Sequence, residues 1–192
     1  MRRVFITAAL YTIVTTVLFG IAYPYLVTGL AQVVFKDKAN GQLIVQNGQV
    51  VGSRIIGQPF SSPKYFHSRP SVAGNGYDAA NSGGSNFGPT NKKLIDRIEG
   101  DVATAQMDQP NASVPVDLIT ASASGLDPDI TPAAAEFQVS RIAAQRHLSE
   151  DTVRGLIAKH TLGRQFGFLG EPRVNVLQIG RASCRERVFA LV

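Results

Sequence analysis

The sequence is short of cysteine, histidine and charge. Of its 192 residues, one is Cys, three are His and 17% are Asp, Glu, Lys or Arg, against about 25% charged in an ordinary globular chain. A single Cys excludes an intramolecular disulfide framework and any Cys-rich zinc or iron–sulfur site. His67, His147 and His160 are far apart and have no co-ligands at metal spacing, so each reads as a surface or packing residue. With 18 Gly and 10 Pro the chain is neither collagen-like nor disordered throughout. The formal charge of +5 does not mark a nucleic-acid binder. The last thirteen residues, from Gly180, carry three Arg and one Glu, and without them the excess is +3. The remaining basic residues are scattered, which leaves no nucleic-acid footprint.

From Val4 through Phe35 charge is missing altogether. A bilayer span needs about 20 apolar residues, and a buried soluble helix rarely holds so long an uncharged run. A cleaved signal peptide would have an apolar region of about 7–15 residues and a small-x-small cleavage site. The run is longer than that, and Ile21-Ala22-Tyr23-Pro24-Tyr25 is a poor site. The N-terminus therefore reads as an uncleaved transmembrane anchor over residues 1–35. Arg2 and Arg3 precede the run and nothing basic follows before Lys36, which places the N-terminus in the cytoplasm and the rest outside. Tyr23 and Tyr25 fall at the depth of the outer aromatic belt. Pro24 is expected to kink or end the span there. Leu26 to Phe35 is still apolar: either it continues as a helix against something outside the bilayer, or it belongs to a longer, tilted span. Thr7, Thr12, Thr15, Thr16 and Gly20 give the helix small or hydroxylated positions, which fit either close packing on a membrane partner or ordinary span composition.

Beyond a polar link, Leu43 to Val51 reads as a β-hairpin turned at Asn47-Gly48. Gly57 to Pro89, rich in Gly, Pro, Ser and Asn, predicts a long irregular loop, ordered by its interleaved aromatics Phe60, Tyr65, Phe66, Tyr77 and Phe87. Thr90 is the expected cap of a helix to about Met107. Val116 to Thr120 reads as a short strand. Thr131-Pro132 opens a helix to about His147, and Ser149 opens another ending near His160. Gly163 to Gly170 is loop, and Arg173 to Ile179 reads as a strand. The fold class is α+β: one N-terminal transmembrane helix, then an extracytoplasmic α+β domain over residues 36–179, then an atypical tail over residues 180–192.

No reagent constellation stands out. Ser82-Gly83-Gly84-Ser85-Asn86 lacks the Lys of a phosphate loop. No Asp-Lys-Thr-Gly-like run is present to carry the phosphorylated Asp of a P-type pump. Ser82, His67 and Asp78 are the right types for a hydrolytic triad, but no Ser sits in a nucleophile elbow. Arg69-Pro70-Ser71 could hold an anion or a partner; the plainer reading is an Arg that ties down loop carbonyls. Asp127-Pro128-Asp129 has too few oxygens for calcium and reads as a helix-opening turn. No catalytic, cofactor-binding or metal-binding residue is nominated.

Three sets of runs together resemble one family. The first comprises Gln58-Pro59-Phe60, Tyr65-Phe66-His67-Ser68-Arg69-Pro70-Ser71 and Ser82-Gly83-Gly84-Ser85-Asn86. The second runs from Asp117-Leu118-Ile119-Thr120 through Ala121-Ser122-Ala123-Ser124 to Gly125-Leu126-Asp127-Pro128. The third is Gly170-Glu171-Pro172-Arg173-Val174-Asn175-Val176-Leu177. In order, spacing and anchor they resemble the KdpC family, the C subunits of the bacterial high-affinity potassium-transporting ATPase, over about residues 4 to 179.

The resemblance implies a non-catalytic subunit of the inner membrane. Its partners would be a potassium-channel-like subunit, a P-type subunit that hydrolyses ATP, and membrane lipid. Such a subunit is thought to hold the complex together and has been proposed to aid ATP binding or potassium entry. ATP, magnesium and potassium would act at the level of the complex, with no cofactor on this chain. A domain outside the membrane touches cytoplasmic ATP only through coupling. Within the motifs, Tyr65, Phe66, Arg69, Ser82, Asn86 and Asp127 are the candidates for partner contact, and Arg2, Arg3, Tyr23 and Tyr25 for the membrane interface. One departure stands out: the family's Leu-Asn-Leu-Ala-like end is replaced from Gly180 by an Arg-rich stretch holding the only Cys. The expectation is a frameshifted, fused or cloning-derived tail. Two other readings stay open: an anchored extracytoplasmic enzyme, and a ligand-binding module using the Phe60 to Phe87 loop.

Overall fold

The computed structural model describes residues 1–110 and 112–189, with side chains as far as residue 183. The chain divides into two compact units, Met1–Val51 and Gly52–Val192.

The first unit is dominated by one helix. It consists of α1 (Arg2–Val17), a wide π-helical turn (Leu18–Ala22) and α2 (Tyr23–Val34). The 33 residues from Arg2 to Val34 are long and apolar enough to cross a membrane. Pro24 was expected to kink or end it; the helix runs through instead. Pro24 has no N–H, and its ring would press on the carbonyl four residues back. The wide turn just before it, in which the Tyr23 N–H reaches back to the Leu18 carbonyl, relieves both problems within an otherwise regular helix. Thr12 and Thr15 hydroxyls donate to the Ala8 and Tyr11 carbonyls at 2.9 and 2.8 Å, so neither is left unpaired in an apolar setting. A single turn, α3 (Lys36–Ala39), follows. The hairpin of β1 (Leu43–Gln46) and β2 (Gln49–Ser53) turns at Asn47 and Gly48, both at positive φ (51° and 78°), as a type I′ turn requires.

The second unit is α+β. The 57–89 loop is irregular apart from one 3₁₀ turn, Ala79–Asn81. Helix α4 (Lys92–Asp108) is capped by Asn91, whose side chain accepts from the Lys93 N–H at 2.9 Å; the cap is not Thr90 as expected. The expected strand near Val116 is a 3₁₀ turn, Val116–Leu118. It buries Asp117, whose carboxylate accepts from the Thr131 N–H at 2.7 Å. Strand β3 (Asp129–Ile130) leads into α5 (Pro132–Phe137), capped by the Thr131 hydroxyl, and α6 (Val139–Arg146). Read as one helix to His147, this stretch breaks at Gln138 and ends with His147 at φ 56°. Next come α7 (Glu150–His160), capped by Ser149, β4 (Thr161–Leu162) and β5 (Arg173–Asn175).

The expected seven-residue strand from Arg173 lasts three residues, and α8 (Val176–Phe189) begins at once. Asn175 explains the switch. Its Oδ1 accepts from the Gln178 N–H at 3.1 Å, as an N-cap does, while its Nδ2 donates to the Arg54 carbonyl and to Asp129 Oδ1. The sheet order is β3-β5-β4, all antiparallel, with Ile130 and Thr161 flanking Val174. Helices α5 to α8 close over one core, centred on Phe66, Ile130, Ile142, Val153, Val174 and Ile179. Helix α8 runs across Gly180, where the atypical tail is expected to begin: Ser183 is buried and Ala182 packs on the core. The rest of the atypical tail lies outside the described side chains.

Candidate functional site

The three motif sets converge on one open groove of about 280 Å³. Arg69 comes from the first set, Asp117 and Asp127 from the second, and Glu171, Pro172 and Arg173 from the third; Asp129 and Ile130 of β3 and the following Thr131 complete the lining. Two neighbouring carboxylates are flanked by an arginine on each side. Arg69 Nη1 meets Asp127 Oδ2 at 3.3 Å. The other edge of the guanidinium donates to the Thr120 carbonyl and hydroxyl and to the Ala121 carbonyl, at 3.2–3.4 Å. Asp127 Oδ1 accepts from the Asp129 N–H at 3.0 Å. Asp129 in turn meets Arg173 Nε at 3.0 Å and Asn175 Nδ2 at 3.0 Å. Burial pushes the Asp129 carboxyl above its ordinary value, and the Asp127 charge adds to this. The Asn175 hydrogen bond and the Arg173 charge pull the other way.

The same loops are stitched together by further hydrogen bonds. Ser68 and Ser71 hydroxyls donate to the Asp127 and Gly125 carbonyls at 3.1 and 2.6 Å. Ser82 Oγ and the Gly83 N–H both reach the Ser124 carbonyl at 2.9 Å. The Gly57 N–H donates to Leu126 at 2.8 Å. Gly125 sits at φ 67° with Ala73 and the Gly83 carbonyl against it, so only glycine fits the crossing. Motif polar groups are thus spent on one another. The arrangement ties the loops to one another through side-chain and backbone hydrogen bonds. Among the described residues no group of three or more His, Cys, Asp or Glu is placed to hold a metal ion.

The candidates for partner contact separate accordingly. Arg69 and Asp127 are brought together in the groove, with the Arg acting as a tie between loops. Ser82 does not line the groove; its hydroxyl donates to the Ser124 carbonyl. Asn86 is exposed at φ 53°. The Tyr65 ring lies 5.8 Å from that of Phe60, tilted by 47°, and 5.2 Å from the Arg146 guanidinium. Phe66, however, is 1% exposed and belongs to the core. Arg2 and Arg3 stand in the first turn of α1, and Tyr23 and Tyr25 in the first turn of α2. Sequence reasoning passed over Asp117, Asn175 and Gln138. A lone Asn between Val174 and Val176 in an apolar run was the available signal for Asn175.

Residues 5–182 match the family model described as KdpC, the K+-transporting ATPase c chain. The chain is 64% identical over 179 residues to the potassium-transporting ATPase KdpC subunit of Koribacter versatilis, covering 93% of each chain. It is 62% identical over 173 residues to that of Acidobacterium capsulatum, covering 90% of this chain and 93% of the relative. For that of Rhodopseudomonas palustris (strain BisB18) the identity is 54% over 179 residues, with 87% and 90% covered.

Proposed function

The chain belongs to the KdpC family of K+-transporting ATPase c chains, and from that membership we propose that it holds the pump's other subunits together without catalysing a step itself. Those subunits are a channel-like one that takes up potassium and a P-type one that binds and hydrolyses ATP. ATP, magnesium and potassium act on them, and this chain needs no cofactor of its own. Arg2 and Arg3 keep the N-terminus in the cytoplasm, the helix crosses the inner membrane once, and the α+β unit works outside.

One observation carries this reading. The polar groups of the family motifs, Arg69, Asp127, Ser68, Ser71 and Ser82, are bonded to one another and to loop carbonyls. They therefore build a fixed surface, of the kind a docking subunit offers its partners. Any influence on nucleotide affinity would pass through the membrane subunits as a coupling free energy.

The test is a detergent pull-down of the tagged chain from bacteria grown at low potassium, with potassium-stimulated ATPase assayed on the product. Co-purification of a P-type ATPase and a channel-like subunit, with activity, is the expected result. Recovery of this chain alone from membranes that contain the others would end the reading, as would normal potassium uptake in cells lacking it.

A further inference from the structure

The turn that joins β4 to β5 presents two phenylalanines to solvent from a backbone that is held in place. Every residue from 162 to 170 is exposed. Phe166 and Phe168 are 86% and 70% exposed, and Leu162 and Leu169 50% and 47%. The backbone beneath them is tied by hydrogen bonds. Gln165 and Leu169 exchange N–H and carbonyl at 2.9 Å in both directions, and the Gly167 N–H donates to the Arg164 carbonyl at 3.2 Å. Phe166 and Gly167 lie at φ 53° and 83°. A bulky side chain in the left-handed region is strained. Such strain persists only where the surroundings hold it, and it clusters at functional positions. The ring held there is on the surface, not in the core.

Area and charge indicate what covers these side chains. At ~150–250 Å² for a large aromatic side chain, the four offer roughly 400–500 Å², about half of the ~800 Å² that each partner gives to a stable protein interface. A bilayer sets no such threshold, because attachment to it grows with whatever apolar area is buried and with attraction to anionic lipid. From residue 152 to residue 170 there is no Asp or Glu, while Lys159 and Arg164 are both exposed. Apolar side chains beside basic ones are the combination that settles into an anionic headgroup layer. The bilayer is also within reach. Residues 35 to 51 separate the end of the long helix from the second unit, at most about 60 Å of extended chain. That tether keeps the second unit at high effective concentration over the membrane. We propose that the turn over residues 163–170 inserts Phe166 and Phe168 into the headgroup layer of an anionic bilayer, as a second attachment beside the anchor helix. Because β4 and β5 carry the turn, its insertion orients the sheet over the membrane. This rests on the membrane placement proposed above.

The chain contains no Trp, so a single introduced Trp reports on its own surroundings. The full chain is reconstituted into vesicles of phosphatidylcholine and phosphatidylglycerol as Phe166→Trp, as Phe168→Trp and, at mid-span, as Ile13→Trp. Lipids brominated on their acyl chains quench a Trp only at close range. With the rings ~5–10 Å deep, at the boundary of headgroups and acyl chains, the two turn variants are expected to lose fluorescence roughly twofold or more to lipid brominated near the headgroup. Their quenching is expected to weaken in vesicles of phosphatidylcholine alone; equal quenching in both overturns the anionic preference. Quenching of Ile13→Trp without quenching at either turn position overturns the proposal and leaves the anchor standing. If Ile13→Trp escapes quenching by lipid brominated deep in the acyl chains, the membrane placement fails and this proposal with it. A second arm uses the assembled complex in native membranes, with Phe168→p-benzoylphenylalanine irradiated and its adducts identified by mass. Adducts with phospholipid are expected. Adducts only with another protein, or none, in a complex that keeps its potassium-stimulated activity overturn the proposal.

Discussion

The side-chain amide of Gln138 pairs with the backbone of His67 in both directions. Its Oε1 accepts from the His67 N–H at 2.7 Å and its Nε2 donates to the His67 carbonyl at 3.1 Å, across 71 residues of sequence. This pairing clamps the 57–89 loop to the break between α5 and α6, with Gln138 itself 4% exposed. Gln138→Ala leaves two backbone groups without partners, at about 2–4 kcal/mol in sum, or roughly 4–15 °C in Tm. Gln138→Leu keeps the volume but not the hydrogen bonds and is expected to fall about as far. Thermal unfolding of the solubilised chain checks both; a Leu variant as stable as the parent would show that packing, not pairing, matters here.

Gly125 and Gly170 both sit at positive φ, 67° and 73°, and differ only in their surroundings. A Cβ at 125 would lie 2.8 Å from the Ala73 Cβ and from the Gly83 carbonyl, while one at 170 meets nothing within 4 Å. Gly170→Ala is expected to cost about 1–2 kcal/mol from backbone strain alone. Gly125→Ala adds a steric term of about 1–3 kcal/mol and loosens the stitching beside the groove. Equal losses of Tm in the two variants would contradict the close approach.

What the sequence makes legible is local. Asn47-Gly48, Thr131-Pro132 and Ser149 each act on backbone within three residues, and each does in the fold what its chemistry predicts. The uncharged run needs no partner to be recognised as a helix long enough to cross a membrane. The misreadings come from long-range pairing. Asn175 ends a strand of apolar pattern because Arg54 and Asp129 are there to receive its amide. Gln138 breaks a helix because His67 is there. Asp117 turns inward because Thr131 presents an N–H. At the site, the tie made by Arg69 was legible from a lone Arg in a Pro- and Ser-rich loop. The burial of Phe66 was not, since aromatic residues in loops serve surfaces and cores alike.

Arg69 gives a test of geometry against charge. Its guanidinium spans Asp127 on one side and Thr120 and Ala121 on the other, and its side chain is 25% exposed. Arg69→Ala is expected to cost about 1–3 kcal/mol. Arg69→Lys keeps the charge but not the planar fork, so it should recover less than half of that loss. Limited proteolysis within residues 57–89 should quicken in both variants. Full rescue by Lys would mean that the Asp127 charge alone holds the loops.

His67 sets a pH dependence. Its ring is half-buried, with Nε2 3.2 Å from the Ser62 carbonyl, which the neutral ring serves as donor. Burial holds its pKa below the ordinary 6.5, with the Arg141 charge adding to this, while the Ser62 carbonyl and Asp108 oppose it. The unfolded chain therefore takes up this proton at a higher pH than the folded one. Where the unfolded state binds more protons, stability rises with pH. The full contribution is present above about pH 6.5 and is lost as the pH falls through that value toward the lower folded pKa. Asp101 and Asp129, whose carboxyls burial raises, bind protons preferentially when folded and act in the opposite sense at more acid pH. The informative quantity is therefore the difference between parent and His67→Gln in the change of Tm from pH 7.5 to 5.5. Gln retains a donor for Ser62 but does not titrate, so the parent should lose more Tm over that range than the variant. Parallel curves would show that His67 is equally free to protonate in the folded and unfolded chain.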